Sequence, residues 1–163
     1  MASNAWKYHE KTVANHFGGT RPPRWNYGIP TPDIICSMED FCGIPGTLLI
    51  ECKYRANMPW HNRAVEALKE GDVVRCDNIL LWNMVNSEAI MTVPEILVEN
   101  YNEFPELPYK IPKYLEEWIA QSESYSEWVG RSPGIYLLCI AQKNSAKRII
   151  ITRDQNIKSM LDG

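Results

Sequence analysis

The chain has 163 residues, of which 45% are hydrophobic and 23% are charged, as in an ordinary globular protein with enough residues for a substantial core. No apolar run is long enough to span a bilayer, and the N-terminus lacks a signal-peptide pattern, so we expect neither feature. The formal net charge of −3 excludes a global basic field, so any contact with nucleic acid would depend on a local basic patch. We expect a single domain over residues 1–163.

The five cysteines are odd in number and include no Cys-x-x-Cys pair. This pattern disfavours both a disulfide framework and a zinc site. Three of them lie in apolar, strand-like contexts, where a free cysteine behaves as a small hydrophobic residue. A reducing cytoplasm fits this usage best, or the cytoplasm of a host if the protein is viral.

The first predicted element is a helix that ends at Gly18 and Gly19, a typical C-terminal stop. Spacings of four, three and four place four residues on one helical stripe, namely Trp6, Glu10, Val13 and Phe17. A carboxylate on a core-facing stripe is costly unless it meets a cation. Glu10 is therefore a candidate metal-site residue, and the alternative is a boundary glutamate that reaches solvent.

The segment 20–32 is rich in proline, arginine and aromatic residues. One interpretation is that Arg21 and Arg24 bind phosphates. Trp25 and Tyr27 would then stack on exposed bases or sugars. An equally good interpretation is a rigid structural loop whose aromatic side chains pack on the core.

Acidic residues flank two predicted strands that follow this loop. Asp33 precedes the apolar run 34–36, and Glu51 and Lys53 follow the apolar run 48–50. Turn signals between the runs predict a hairpin, which would bring Asp33 beside Glu51. Because strand side chains alternate with period two, Glu51 and Lys53 share one face. Charges on so apolar a strand are expected to be paired or to face a cleft.

Two carboxylates at one point form a hard-oxygen site suited to Mg²⁺, which takes few protein carboxylates and keeps several waters. Such a metal lowers the pKa of a bound water and neutralises charge that develops on phosphorus. A lysine beside it can act on the water or on the phosphate. The plain alternative is a surface hairpin on which the acids and the Glu-x-Lys pattern occur together by chance.

Pro32-Asp33, followed by Glu51-Cys52-Lys53 at the end of an apolar strand, resembles the PD-(D/E)xK nuclease superfamily. With Glu10 on the first helix, glycines after it and a basic segment next, the chain resembles the archaeal and phage-type Holliday-junction resolvases. The resemblance covers residues 6–55 well and 113–161 moderately, and it does not cover 56–112. It implies an α/β fold with a restriction-endonuclease-like core, in which helices flank a mixed central β-sheet.

The resemblance also implies roles for the candidate residues. Asp33 and Glu51 would hold Mg²⁺, for which Mn²⁺ can substitute, with the Cys52 carbonyl as a further ligand. Glu10 would complete the acidic shell, and Lys53 would act on water or phosphate. DNA contacts are expected from Arg21, Arg24, Tyr54 and Arg55. The expected partner is branched DNA, which a homodimer would cut because two strands must be cut symmetrically.

Residues 56–112 are interpreted as a family-specific insertion that packs on the core. A helix is predicted from Asn62 to Glu70, with Gly71 as its stop, and prolines recur from Pro94 to Pro112. The insertion is expected to shape the substrate cleft or a dimer interface.

Pro112 precedes a predicted helix that runs to about Val129. One stripe of this helix carries Trp118, Gln121, Tyr125 and Trp128. A glutamine within an aromatic stripe needs a hydrogen-bond partner. Many relatives of the nuclease superfamily carry a Gln-x-x-x-Tyr pattern near the active site, so the resemblance assigns Gln121 to the catalytic group. The alternative is a boundary glutamine beside a core tyrosine.

Two further strands, 134–141 and 147–152, form a predicted hairpin, and Asp154 can cap a short final helix. The favoured function is that of a magnesium-dependent, structure-selective DNA endonuclease. Two alternatives stay open: a restriction- or repair-type nuclease acting on ordinary or single-stranded DNA, and a nuclease-like module that binds DNA or protein without catalysis.

Overall fold

A computed structural model describes residues 4–22, 31–39, 46–68, 73–85, 105–125 and 134–156. The helices are α1 (Ala5–Phe17), α2 (Pro59–Ala67) and α3 (Lys113–Glu123). The strands are β1 (Ile34–Ser37), β2 (Thr47–Arg55), β3 (Val74–Cys76), β4 (Ile79–Asn83), β5 (Gly134–Gln142) and β6 (Arg148–Arg153). Among the described residues, no helix combines the length and the apolarity needed to cross a membrane.

The strands form a six-stranded sheet in the order β1-β2-β5-β6-β4-β3. β2 and β5 run parallel, and the other neighbouring strands run antiparallel. The prediction of an α/β protein with a mixed central sheet flanked by helices is therefore confirmed.

Each face of the sheet carries its own hydrophobic cluster. On one face α1 packs its buried Val13 and Phe17 against β1 and β2. On the other face α2 and α3 supply Ala64, Leu115 and Ile119. The central strands are therefore covered on both sides, which explains why the run 48–50 is apolar at every position.

The predicted stop of the first helix is confirmed. Gly18 has a left-handed φ of 67° and donates its N–H to the carbonyl of Ala14. A Cβ on Gly19 would lie 2.7 Å from the Ile34 side chain and 2.8 Å from the Ile35 carbonyl oxygen. Glycine thus lets the chain turn closely onto β1, where Thr20 and Ile35 exchange backbone hydrogen bonds.

Three helix boundaries differ from expectation. α2 ends at Ala67 and not at Glu70. α2 begins at Pro59 and not at Asn62, because proline is readily accommodated in the first helical turn. α3 ends at Glu123 and not near Val129, since a turn follows the helix. Arg153 on β6 ties α3 to the sheet through Glu116 and Glu123. Trp128 and the expected end of the helix lie outside the described residues.

Two other expectations are corrected. Trp6 is 44% exposed and so does not belong to the buried stripe of α1, because it lies in the first turn with the Lys7 ammonium 5.5 Å from its ring centre. The segment 56–112 was expected only to pack on the core, but it also forms part of the sheet, since its strands β3 and β4 extend the sheet beyond β6. Residues 69–72 of that segment, with the predicted stop Gly71, lie outside the described ranges, as do residues 86–104 and the predicted final helix after residue 156.

Candidate functional site

The β1–β2 hairpin places the two candidate acids together. The register pairs Ile34 with Ile50, so Asp33 comes opposite Glu51 as β1 begins. Both acids are buried, with 6% exposure for Asp33 and 5% for Glu51. The two carboxyl groups are close enough to share a hydrogen bond. The predicted convergence of these acids is therefore present.

Asp33 is fixed by the backbone of the neighbouring strand. Its Oδ2 accepts a hydrogen bond of 2.8 Å from the N–H of Cys52. The N–H and C=O of one strand residue point to the same side of the strand. The Cys52 carbonyl therefore faces the edge of β2 on which Asp33 lies, where β1 has not yet begun.

Glu51 is held by three side chains. The Tyr125 hydroxyl donates a hydrogen bond to Oε2 of Glu51. The exposed Gln121 donates its Nε2 to Oε1 over 3.4 Å, and the Lys53 ammonium lies 3.6 Å from the same oxygen. Gln121 thus has a hydrogen-bond partner in Glu51, although as an exposed side chain it does not require one. Tyr125 lies in the turn after α3, so this turn as well as the helix positions the acid.

The pKa of Glu51 is raised from its ordinary 4.5 to about 7. Burial is the largest cause, followed by the charge of Asp33, while Tyr125 and Lys53 act in the opposite direction. Burial also raises the pKa of the Tyr125 hydroxyl, as does its bond to Glu51. A divalent cation between the acids would lower the pKa of Glu51, because it would offset the repulsion between the two carboxylates.

Glu10 lies on the opposite side of the sheet from α3, on the buried face of α1. Its Oε2 forms an ion pair of 2.9 Å with Arg21, whose side chain is 46% exposed. The pKa of the Cys52 thiol is raised by burial, by Cys139, and then by the charges of Asp33, Glu10 and Glu51. Within the described ranges, no three His, Cys, Asp or Glu side chains converge as a metal site, so Glu10 stays apart from the pair.

A buried histidine anchors the helix that carries Glu10. Arg148 Nε donates to Nδ1 of His9 over 3.0 Å, so the other ring nitrogen carries the proton and donates to the Cys139 carbonyl at 3.1 Å. Burial lowers the pKa of His9 to about 4. No sequence pattern indicates this contact, because Arg148 lies far along the chain from His9.

The structure describes three of the four residues expected to contact DNA, including Arg21, which pairs with Glu10. Tyr54 is half-buried and Arg55 is exposed at the end of β2, while Arg24 lies outside the described residues. The structure also brings Trp118 of α3 into this group, because the Arg55 guanidinium lies 4.9 Å and the Lys53 ammonium 5.9 Å from its ring centre. In the sequence, the signal that Trp118 lies near the candidate site is its spacing of three from Gln121, because residues three apart share a helix face.

The donors at the acid pair fit a hard divalent cation. Mg²⁺ is commonly bound through one or two carboxylates together with waters and substrate phosphates, and Asp33 and Glu51 provide two. The Cys52 carbonyl adds a neutral oxygen on the same edge. Comparison with family models, with curated proteins and with solved structures finds no match for this chain.

Proposed function

We propose that the protein is a magnesium-dependent endonuclease that hydrolyses phosphodiester bonds of DNA. The observation that carries the proposal is the buried pair Asp33 and Glu51 with Lys53 at 3.6 Å. A buried carboxylate whose charge is disfavoured by burial and by a second buried carboxylate, next to one cationic side chain, is an expensive arrangement for a merely structural hairpin.

In this proposal Asp33, Glu51 and the Cys52 carbonyl hold Mg²⁺ or Mn²⁺. When bound, the metal lowers the pKa of a coordinated water and offsets charge that develops on the phosphate. Lys53 presents its ammonium to the attacking water or to a phosphate oxygen. Gln121 and Tyr125 keep the Glu51 carboxylate oriented through their hydrogen bonds.

The finer proposals are a restriction-endonuclease-like core and a four-way DNA junction as substrate. They are supported by the order of motifs from Glu10 through Pro32-Asp33 to Glu51-Cys52-Lys53, which resembles the resolvases. A homodimer follows from the substrate, because two strands of a junction must be cut symmetrically. Arg21 and Arg24 from each subunit would contact phosphates, so junction shape and not base sequence would determine selectivity.

Cleavage of a panel of DNAs tests the proposal. Four-way junction, flap, duplex and single strand are incubated with the protein in magnesium, and again in chelator, with Asp33→Asn as the control. We expect cleavage in magnesium by the wild type alone, and fastest on the junction. Absence of metal-dependent cleavage on every substrate would refute the nuclease. Equal cutting of junction and duplex by a monomer would refute the resolvase and leave the nuclease standing.

A further inference from the structure

A cavity of about 270 Å³ opens beside the candidate site, at the end of β2. It is lined by Arg55, Asn57, Met58, Pro59, Tyr114 and Trp118. Arg55 follows Glu51 and Lys53 at intervals of two along one strand, so the three side chains form a row on one face. The cavity therefore continues the row that begins at the acid pair.

The wall of this cavity is aromatic and is held in place. Tyr114 and Trp118 are half-buried, and their rings meet edge to face with centres 4.9 Å apart. They lie four residues apart on α3, which Arg153 ties to the sheet through Glu116 and Glu123. Such a surface changes little on binding, which lowers the entropic cost of stacking a planar group on it.

The rim of the cavity is positively charged. The Arg55 guanidinium lies over Trp118 and donates a hydrogen bond to the Tyr54 carbonyl. Among the residues that the structure describes, it forms no ion pair with a carboxylate. Lys53, also over Trp118, connects the rim to Glu51. An aromatic wall with a guanidinium over one of its rings is complementary to a base and its phosphate.

We propose that this cavity binds one unpaired nucleotide of the DNA substrate, with its base against Trp118 and Tyr114 and its phosphate at Arg55. The proposal rests on the nuclease function and specifies the substrate class further, as DNA with an unstacked base near the scissile phosphate. The cavity lies just below the range of about 300–1,000 Å³ typical of drug-sized ligands, which suits one base and not a longer stretch. A base within a duplex cannot offer its face to Trp118.

Binding of a fluorescein-labelled single-stranded oligothymidine in chelator tests the cavity without cleavage. We expect Trp118→Leu to weaken binding by about tenfold, because stacking on an aromatic side chain is lost, and Trp118→Phe to retain most of the affinity. Trp6→Leu is the matched control, since Trp6 also lies near a lysine but on α1, across the sheet. A duplex of equal length should respond little to either leucine substitution.

Arg55→Ala provides a second variant at an exposed position, where folding is not at risk. It should reduce the slope of log affinity against log salt by about one, because one phosphate contact is removed. Unchanged single-strand affinity in both Trp118→Leu and Arg55→Ala, or no binding by the wild type, overturns the proposal. If the wild type then still cleaves DNA in magnesium, the nuclease function is supported and only the nucleotide-binding cavity is refuted. Single-strand binding that depends on Trp118, without any cleavage, would instead support nucleotide binding in the cavity and refute the nuclease function.

Discussion

Glu51 lies opposite Asp33 across the β1–β2 hairpin, and burial together with the charge of Asp33 raises the pKa of Glu51 to about 7. The acid that would bind a metal is therefore half protonated near neutral pH. Metal binding at this site must compete with that proton, so affinity should increase with pH.

Stability in chelator should fall as the pH rises from about 4.5 to about 7 on account of Glu51. Its folded pKa is above its unfolded value, so in this window the folded state binds more protons and ionisation opposes folding. The loss is on the order of 3 kcal/mol for a shift of this size. Magnesium should restore stability at pH 8 and do so much less at pH 5.

Chemical denaturation at several pH values, for the wild type and Glu51→Gln, measures this effect. The difference curve is needed because His9, whose pKa is lowered to about 4, acts in the opposite direction and is common to both proteins. A difference that does not change with pH would contradict the assigned charge state of Glu51.

Asp33→Asn and Glu51→Gln should each abolish cleavage and leave the fold intact. Removing either charge relieves repulsion between the buried acids, so stability in chelator at pH 8 should hold or rise. Cleavage rate and denaturation midpoint are measured on the same preparations. Near-wild-type turnover of either variant at saturating magnesium would exclude the site.

Lys53→Ala should lose most of the cleavage rate and keep its affinity for DNA. One positioned charge or proton-transfer group is worth about a hundredfold to a thousandfold in rate. Single-turnover cleavage at saturating enzyme separates this effect from binding. If affinity falls and the saturated rate is normal, Lys53 is a phosphate anchor and the role proposed for it is wrong.

Tyr125→Phe should shift the pH dependence of cleavage toward higher pH. The Tyr125 hydroxyl donates to Glu51 and thereby lowers the pKa of that acid, so its removal raises the pKa further. The lost hydrogen bond should also cost about 1–3 kcal/mol of stability. A rate that falls equally at every pH would indicate that Tyr125 acts on packing alone.

Glu10→Gln should lower cleavage far less than Asp33→Asn. Glu10 pairs with Arg21 at 2.9 Å and does not join the acid pair in a three-residue metal group within the described ranges. We expect a decrease of about tenfold, comparable with the effect of losing a group that orients a metal site from outside it. Complete loss of activity in a folded Glu10→Gln protein would mean that Glu10 moves to the metal when DNA binds.

Local patterns in the sequence determined the hairpin, the face shared by Glu51 and Lys53, and the glycine stop after α1. These features depend on strand alternation and on backbone conformation, which neighbouring residues control. The adjacency of Asp33 and Glu51 followed from the same patterns, because one short hairpin decides it.

Only the tertiary structure decided what surrounds those acids. It placed Arg21 against Glu10 of α1, Arg148 of β6 against His9 of α1, and Arg55 of β2 over Trp118 of α3. Their geometry depends on how α1 and α3 pack on opposite faces of the sheet, and no periodicity along the chain encodes it. The raised pKa of Glu51 is also decided only by the tertiary structure. Burial is the largest cause of the shift, and it exists only once both faces of β2 are covered.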